Sequence, residues 1–299
     1  MPPPSLVRRQ VPPQLTVSQF LKAASLKLRE SGINNPRVDA EVLLSLALGI
    51  QRDRLLLRFD AQLGQDELDR AIELVEKRAR RVPLQHIVGT VEFMGTEFLV
   101  RPGVFIPRPE TEFVVVEALR LLEHVADPLV IDLCTASGVI GVSIAVGKPS
   151  AVVHAADISE PAIELARANA ASHGVQERLI LHLGDLFAAD GLERLTRKAD
   201  LITANPPYIP SSEIPSLEPE VSQHEPILAL DGGSDGLVLL RRILEEGPPF
   251  LKTGGWFVVE IGAGQAQAGI EAARSARLTE VRTLRDLAGI ERVLVARKP

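Results

Sequence analysis

Val130-Ile131-Asp132-Leu133-Cys134-Thr135-Ala136-Ser137-Gly138-Val139-Ile140-Gly141 reads as a short apolar strand, a loop of small residues and the first turn of a helix. Such a helix start carries backbone N–H groups with no partner inside the helix, and in an open α/β sheet this first turn is where a ligand meets the backbone. Working outward, apolar strand patterns recur at 128–133, 151–156, 178–183, 200–204, 254–261, 279–284 and 291–297. Between or before them lie amphipathic patterns at 110–124, 139–147, 160–173, 234–246 and 264–275. Apolar strands alternating with helices predict a mostly parallel, doubly wound sheet covered on both faces. The last two strands are separated only by Arg285-Asp-Leu-Ala-Gly-Ile, too short for a right-handed crossover, so that pair is expected to be antiparallel. No internal repeat is found. The predicted class is α/β: a Rossmann-like, seven-stranded sheet of the methyltransferase type rather than the dehydrogenase type, preceded by a small helical domain and a β-hairpin.

Composition sets the outer bounds. A chain of 299 residues has a prior of about two domains. Hydrophobic residues at 45% and charged residues at 24% exclude a disordered or collagen-like chain. Aromatics are only 4%, so the core is expected to be aliphatic. The net charge of −6 carries no whole-protein nucleic-acid footprint. Residues 1–90 hold 14 Lys/Arg against 10 Asp/Glu, however, whereas the remainder holds 19 against 29. Ordinary surface variation accounts for that asymmetry; contact of the basic part with RNA or an acidic partner is the sharper reading. A single cysteine, Cys134, excludes an intramolecular disulfide and a cysteine-based metal site, and fits a reducing compartment. The six histidines show no metal spacing, so no metal is assigned. No stretch reaches 18 apolar residues, so no transmembrane helix is expected. The proline-rich residues 1–14 read as a disordered tail, not a signal peptide.

Residues 15–82 read as a helical domain. Thr16 and Gln19 make a capping box, and Val17, Phe20, Leu21, Ala24 and Leu28 follow at helical spacing up to Gly32. A second helix has Asn35 as N-cap and Pro36 at its first position, and stops at Gly49. A third covers about 66–81, and its Lys77–Arg81 cluster reads as a solvated last turn complementing the helix dipole. Residues 84–106 are β-rich with glycine turns and are taken as a hairpin linker, 83–107, between the helical domain and a catalytic domain at 108–299.

Three positions flank the central loop. Asp157 lies 19 residues beyond Gly138 at the end of the second strand, where an acidic residue binds ribose hydroxyls. Asp185 and Leu186 follow the third strand and can border a purine; a helix N-cap is the plainer reading of Asp185. Asn205-Pro206-Pro207-Tyr208 follows the fourth strand and is the most specific feature of the chain. Two prolines stiffen the backbone. The Asn205 side-chain oxygen and the Pro206 carbonyl can then accept both hydrogens of a planar –NH2 group on which Tyr208 stacks. An amide nitrogen is a poor nucleophile because its lone pair is delocalised, so holding its N–H bonds beside an electrophile lets positioning and electrostatics do the work.

Further stretches complete the pattern: Arg37-Val-Asp-Ala-Glu-Val-Leu-Leu, Pro83-Leu-Gln-His-Ile-Val-Gly, Ile106-Pro-Arg-Pro-Glu-Thr-Glu, Glu225-Pro-Ile-Leu-Ala-Leu-Asp-Gly-Gly-Ser-Asp-Gly-Leu, Gly254-Gly-Trp-Phe-Val-Val-Glu-Ile-Gly and Asp286-Leu-Ala-Gly. With Asn205–Tyr208 they make the chain, from about residue 17 to 298, resemble the HemK/PrmC family of protein-(glutamine-N5) methyltransferases. The resemblance implies S-adenosylmethionine (SAM) as methyl donor, S-adenosylhomocysteine as product, and as acceptor the glutamine of the Gly-Gly-Gln motif in class I peptide chain release factors. By position, Cys134, Thr135, Ala136, Ser137 and Gly138 face the donor's methionine part, Asp157 its ribose, and Asp185 and Leu186 its adenine. Asn205 touches donor and substrate, Pro206, Pro207 and Tyr208 the glutamine, and Pro107-Arg108-Pro109-Glu110 lies beside the pocket. The resemblance also implies a cytoplasmic monomer whose helical domain grips the protein substrate.

The chain departs from the family in the donor loop, usually Asp-x-Gly-x-Gly-x-Gly, here Asp132-Leu-Cys-Thr-Ala-Ser-Gly138. A methyl group at Ala136 pressed against a ligand costs about 1–3 kcal/mol if nothing shifts. Leu186 replaces a common aromatic and gives a weaker ring contact. Alternatives are a glutamine methyltransferase acting on a ribosomal protein and a weakly active or non-catalytic SAM-binding relative. A DNA adenine methyltransferase shares the tetrapeptide but needs a basic groove, which the acidic catalytic part does not offer, so no direct DNA binding is expected. A nicotinamide dehydrogenase would leave the tetrapeptide unexplained.

Overall fold

The computed structural model describes residues 15–299; the tail expected at 1–14 lies outside the described residues. The chain divides into two compact units, Met1–Val88 and Gly89–Pro299.

In the first unit, helices run over Val17–Glu30, Pro36–Leu48 and Gln65–Ala79. The Thr16–Gln19 capping box is present with both of its bonds. Gly49 ends the second helix in the left-handed conformation that glycine alone adopts at no steric cost. Asn35 occupies the N-cap position without a side-chain bond, so Pro36 is what starts that helix. Three features depart from the sequence reading. A short helix at Arg52–Leu55 intervenes before Gln65. Within the basic cluster, Arg78 is not solvated: it is buried and its Nε donates to Asp39 Oδ2 at 2.7 Å. The segment expected to be β-rich also begins with a short helix, Leu84–Val88.

The second unit opens with strands β1 (Thr90–Phe93) and β2 (Thr96–Leu99), paired as a hairpin. Phe93 and Phe98 are fully buried in the core of this unit. Then come β3 (Leu129–Leu133), β4 (Val152–Asp157), β5 (Leu179–Leu183), β6 (Ala199–Ala204), β7 (Leu251–Glu260), β8 (Thr279–Arg285) and β9 (Glu291–Arg297). Their order in the sheet is β5-β4-β3-β6-β7-β9-β8. The first five are parallel, and β9 is antiparallel to both β7 and β8, as the short connection requires. Alternate residues of each strand feed opposite cores: Val130 packs with the helices Glu112–Leu122 and Val139–Gly147, and Ile131 with Val238–Glu246 and Ala266–Ser275. The strand order reverses between β3, which runs to β4 on one side, and β6 on the other. A crevice therefore opens at the carboxyl ends of β3, β4 and β6, where open α/β sheets bind ligands.

Candidate active site

The loop after β3 is built on strain that its neighbours hold in place. Cys134 and Ala136 take positive φ angles of 54° and 49°, and Gly138 one of 83°. A left-handed L-residue costs roughly 1–2 kcal/mol. Four bonds impose the shape. Thr135 N donates to Ala156 O at 3.1 Å, and Thr135 Oγ1 to Asp132 Oδ2 at 2.6 Å. Ala136 N donates to Asp157 Oδ2 at 2.8 Å, and Asn169 Nδ2 to Ser137 O at 2.8 Å. A Cβ on Gly138 would lie 3.0 Å from Ala166 Cβ, so the helix at Glu160–Ser172 packs directly on this turn.

Asp132 is the buried anchor. Its Oδ1 accepts from Thr203 Oγ1 on β6 at 2.8 Å, tying the loop to the strand that carries the tetrapeptide. Burial pushes its carboxyl up to about 6. Burial also raises the Cys134 thiol, reinforced by the charges of Asp157, Asp132 and Asp185, so it stays a neutral S–H. Asp157 ends β4; its Oδ1 accepts from Ser159 N at 2.9 Å. Burial raises its pKa against the backbone donors of Ser159, Ala136 and Ile158.

Asp185 follows β5 and is about half exposed, with Arg242 Nη1 at 3.1 Å from its Oδ1. It makes no side-chain cap bond to the turn Leu186–Ala188, which removes the plain N-cap reading. Leu186 beside it is buried at a φ of 47°.

The tetrapeptide follows β6. Asn205 Nδ2 donates to Thr111 Oγ1 at 3.1 Å, which leaves Asn205 Oδ1 as the acceptor still available. This amide orientation is the one that the hydrogen-bond network favours. The Tyr208 carbonyl accepts from Gln265 Nε2 at 2.8 Å. A Cβ on Gly236 would lie 2.3 Å from that carbonyl oxygen, so glycine is required for the approach. The residue after the tetrapeptide is held too: Ile209 N donates to Leu230 O and Gly232 N to Ile209 O. Burial raises the Tyr208 phenol, with the Glu260 charge adding to it.

One cavity of about 350 Å³ joins these pieces. Its lining takes in Cys134, Thr135, Ala136 and Ser137, then Asp157, Asp185 and Leu186, and all of Asn205–Tyr208. Gly138 does not line it; its part is the turn itself. Pro107 and Arg108 form another wall, as placed by sequence, while Pro109 and Glu110 do not line the cavity. Arg108 pairs with the buried Glu225, whose Oε2 also accepts from Ile106 N at 3.4 Å. The Arg108 guanidinium lies 4.8 Å from the Phe105 ring centroid.

Sequence reasoning gave no role to Thr111, Glu260, Gln265, Asn169 or Arg242. Glu260 had a visible signal: an acid at the end of an apolar run, Trp256-Phe-Val-Val-Glu260, at the edge where ligands bind. Thr111 lies in the quoted stretch Ile106-Pro-Arg-Pro-Glu-Thr-Glu; the other three have no signal, since their partners are distant in sequence.

Known proteins resemble the chain along most of its length. A family profile described as the PrmC N-terminal domain matches residues 19–89, and one described as a methyltransferase small domain matches residues 97–216. A release factor glutamine methyltransferase of Geobacter sulfurreducens is 43% identical over 282 residues, covering 94% of this chain and 96% of that one. Another, of Caulobacter vibrioides, is 39% identical over 285 residues, covering 95% and 97%. Among solved structures, the T. thermophilus 16S rRNA N2 G1207 methyltransferase in complex with AdoMet and guanosine is alike in fold. Its TM-score is 0.51 at 16% identity, over 70% of this chain and 50% of that one.

Proposed function

The chain belongs to the release factor glutamine methyltransferase family, and from that premise we propose how its residues divide the work of methyl transfer. It is a SAM-dependent protein-glutamine methyltransferase that methylates the side-chain amide nitrogen of a release factor glutamine. We assign the acceptor more finely as the Gly-Gly-Gln glutamine of class I release factors. The observation that carries the assignment of roles is the continuity of one cavity from the Asp157 carboxylate to Asn205.

The lining fits the donor. Its volume lies at the lower end of the range of small-molecule sites. SAM, when bound, supplies an electrophilic methyl group on a sulfonium. Cys134, Thr135, Ala136 and Ser137 provide the wall for its methionine part, and Gly138 makes the turn that holds them there. Asp157 keeps acceptor capacity for ribose hydroxyls, since a carboxylate offers about four lone-pair sites and three backbone donors use fewer than that. Asp185 and Leu186 border the adenine, and Arg242 shares Asp185 with it.

At the other end, Asn205 Oδ1 and the Pro206 carbonyl accept the two N–H bonds of the glutamine amide. Pro207 stiffens this arrangement and Tyr208 covers the amide plane. Held this way, the nitrogen would pyramidalise and attack the methyl carbon without prior loss of a proton; the S–C bond would break as the N–C bond forms, releasing S-adenosylhomocysteine, and the nitrogen would then lose its proton to solvent. Among the described residues no cluster of His, Cys, Asp and Glu is suited to a metal ion, and no helix is long and apolar enough to cross a membrane. A cytoplasmic monomer that binds no DNA, with its helical unit gripping the release factor, completes the proposal.

The test is transfer of labelled methyl from SAM to wild-type release factor and to the same factor with the Gly-Gly-Gln glutamine replaced. Label on the wild-type factor alone is expected. Equal label on both would overturn the assigned acceptor.

A further inference from the structure

Behind the tetrapeptide lies a carboxylic acid that the division of roles above does not use. Glu260 ends β7 with 1% of its surface exposed. In the sheet Ala204 is paired with Val259, which brings the next residue of each segment, Asn205 and Glu260, to the same edge. Thr111 stands between them chemically: its Oγ1 takes the bond from Asn205 Nδ2. The Thr111 and Tyr208 hydroxyls both face Glu260, where hydrogen bonding from them favours its charged form. One carboxyl oxygen, Oε2, is buried with no hydrogen-bond partner.

The direction of these bonds matters. A hydroxyl has one proton to give, and an ionised carboxyl only accepts. When Thr111 gives its proton to a charged Glu260, its oxygen must accept, and the only side of Asn205 that can donate is the amide nitrogen. Asn205 Oδ1 is then turned away from Thr111. The same carboxylate takes the Tyr208 proton and so fixes the phenol. A protonated Glu260 is a weaker acceptor and can also donate, so the Thr111 hydroxyl is no longer held to give its proton to the carboxyl; it can donate to Asn205 Oδ1 instead, and the amide has a reason to flip.

We propose that Glu260 is a positioning residue for methyl transfer: through the Thr111 and Tyr208 hydroxyls, its carboxylate keeps Asn205 Oδ1 and the Tyr208 ring directed at the acceptor amide. This rests on the reading of Asn205 as the residue that holds the amide. The charged groups facing Glu260 are Glu110, which raises its pKa, and Arg292 of β9, which lowers it; Arg108 and Arg292 both face Tyr208. Burial dominates and pushes the Glu260 carboxyl up to about 7, so its charge changes within the range of an ordinary assay.

The experiment is steady-state kinetics of the full chain from pH 5.5 to 9, with labelled SAM and one release factor, for wild type, Glu260→Gln, Glu260→Asp, Thr111→Val and Asn205→Ala. Wild-type kcat is expected to fall on the acid side with a midpoint near 7, with KM for SAM unchanged. Glu260→Gln is expected to lose about 10- to 100-fold in kcat at pH 8, the scale of a small misplacement of a reacting group, and to lose the acid limb. Glu260→Asp restores part of kcat and the limb. Should Glu260→Gln fail to bind SAM, Thr111→Val carries the test, with a similar loss of kcat at unchanged KM for SAM. A Glu260→Gln enzyme with kcat within threefold of wild type and the same acid limb overturns the inference, as does a Thr111→Val enzyme of wild-type kcat. Asn205→Ala separates the two readings. If it is inactive while Glu260→Gln behaves as wild type, only the role of Glu260 fails; if it is active, the reading of the site itself fails.

Discussion

Replacing Glu260 by Gln should change how stability depends on pH, and the size of the change follows from burial. The carboxyl has a pKa of 4.5 in an exposed chain and is pushed up to about 7 in the folded protein. Below pH 4.5 it is protonated in both states and costs nothing. Between 4.5 and 7 the unfolded chain ionises while the folded one does not, so stability falls as pH rises; above 7 the loss is complete. A gap of about 2.5 pH units is worth about 3.4 kcal/mol. Between pH 5 and pH 8 the loss is about 2.5 kcal/mol, because part of it has already occurred at pH 5. Glutamine does not titrate, so the stability of wild type relative to Glu260→Gln should fall by that amount over the interval. Asp132, pushed up to about 6 by burial, contributes in the same direction but equally to both proteins, and cancels. Trp256, the single tryptophan, lies on β7 with Glu260 and reports unfolding of this unit by fluorescence. In thermal unfolding, 2.5 kcal/mol in a unit of this size is about 5–10 °C. A relative change below about 1 kcal/mol, or one of opposite sign, would refute the claim that this carboxyl is buried at the cost of its charge.

Other substitutions test the donor side and the first unit. Asp157→Asn keeps the shape but weakens the acceptor for both Ala136 N and ribose, so calorimetry should show SAM affinity down about 10- to 100-fold, in line with a charge-assisted bond of 1.5–3 kcal/mol. Gly184→Ala forces a Cβ to within 2.5 Å of Ala189 Cα at a φ of 150°, and should cost at least about 2 kcal/mol in denaturant unfolding. Arg78→Ala strands the buried Asp39 carboxyl and should destabilise the helical unit by about 3 kcal/mol, read by circular dichroism. Ala136→Gly relieves a left-handed alanine, about 1 kcal/mol, but loses a partly buried methyl and loosens the unfolded chain; melting temperature and SAM affinity should both stay close to wild type.

Much of the scaffold was readable because its signals are local. Seven apolar runs became seven strands with ends within three residues of those expected, and the five residues between β8 and β9 dictated their antiparallel pairing. Burial of individual polar groups was not readable in this way. Lys77–Arg81 looks like a solvated helix end from its own sequence, whereas Arg78 is buried against Asp39, 39 residues away. Thr111, Asn205, Tyr208 and Glu260 come from three separate segments, and no spacing rule links them.

The donor loop shows how local and distant information combine. Read locally, Cys134 and Ala136 argue against a turn that favours glycine, and the structure does place both at positive φ. The turn survives because what glycine provides by lacking a Cβ, this loop obtains from clamps outside itself: Ala156 on Thr135, Asp157 on Ala136, Asn169 on Ser137. Strain of about 1–2 kcal/mol at each non-glycine position is small beside three or more bonds that all require the same backbone shape. The same clamps explain the cost assigned to Ala136. Its methyl packs partly on the cluster of Val104, Ala162 and Leu165, so part of its volume is taken up by protein contacts rather than by the donor. A side chain where glycine is usual thus alters the energy of the loop more than the shape of the wall it offers.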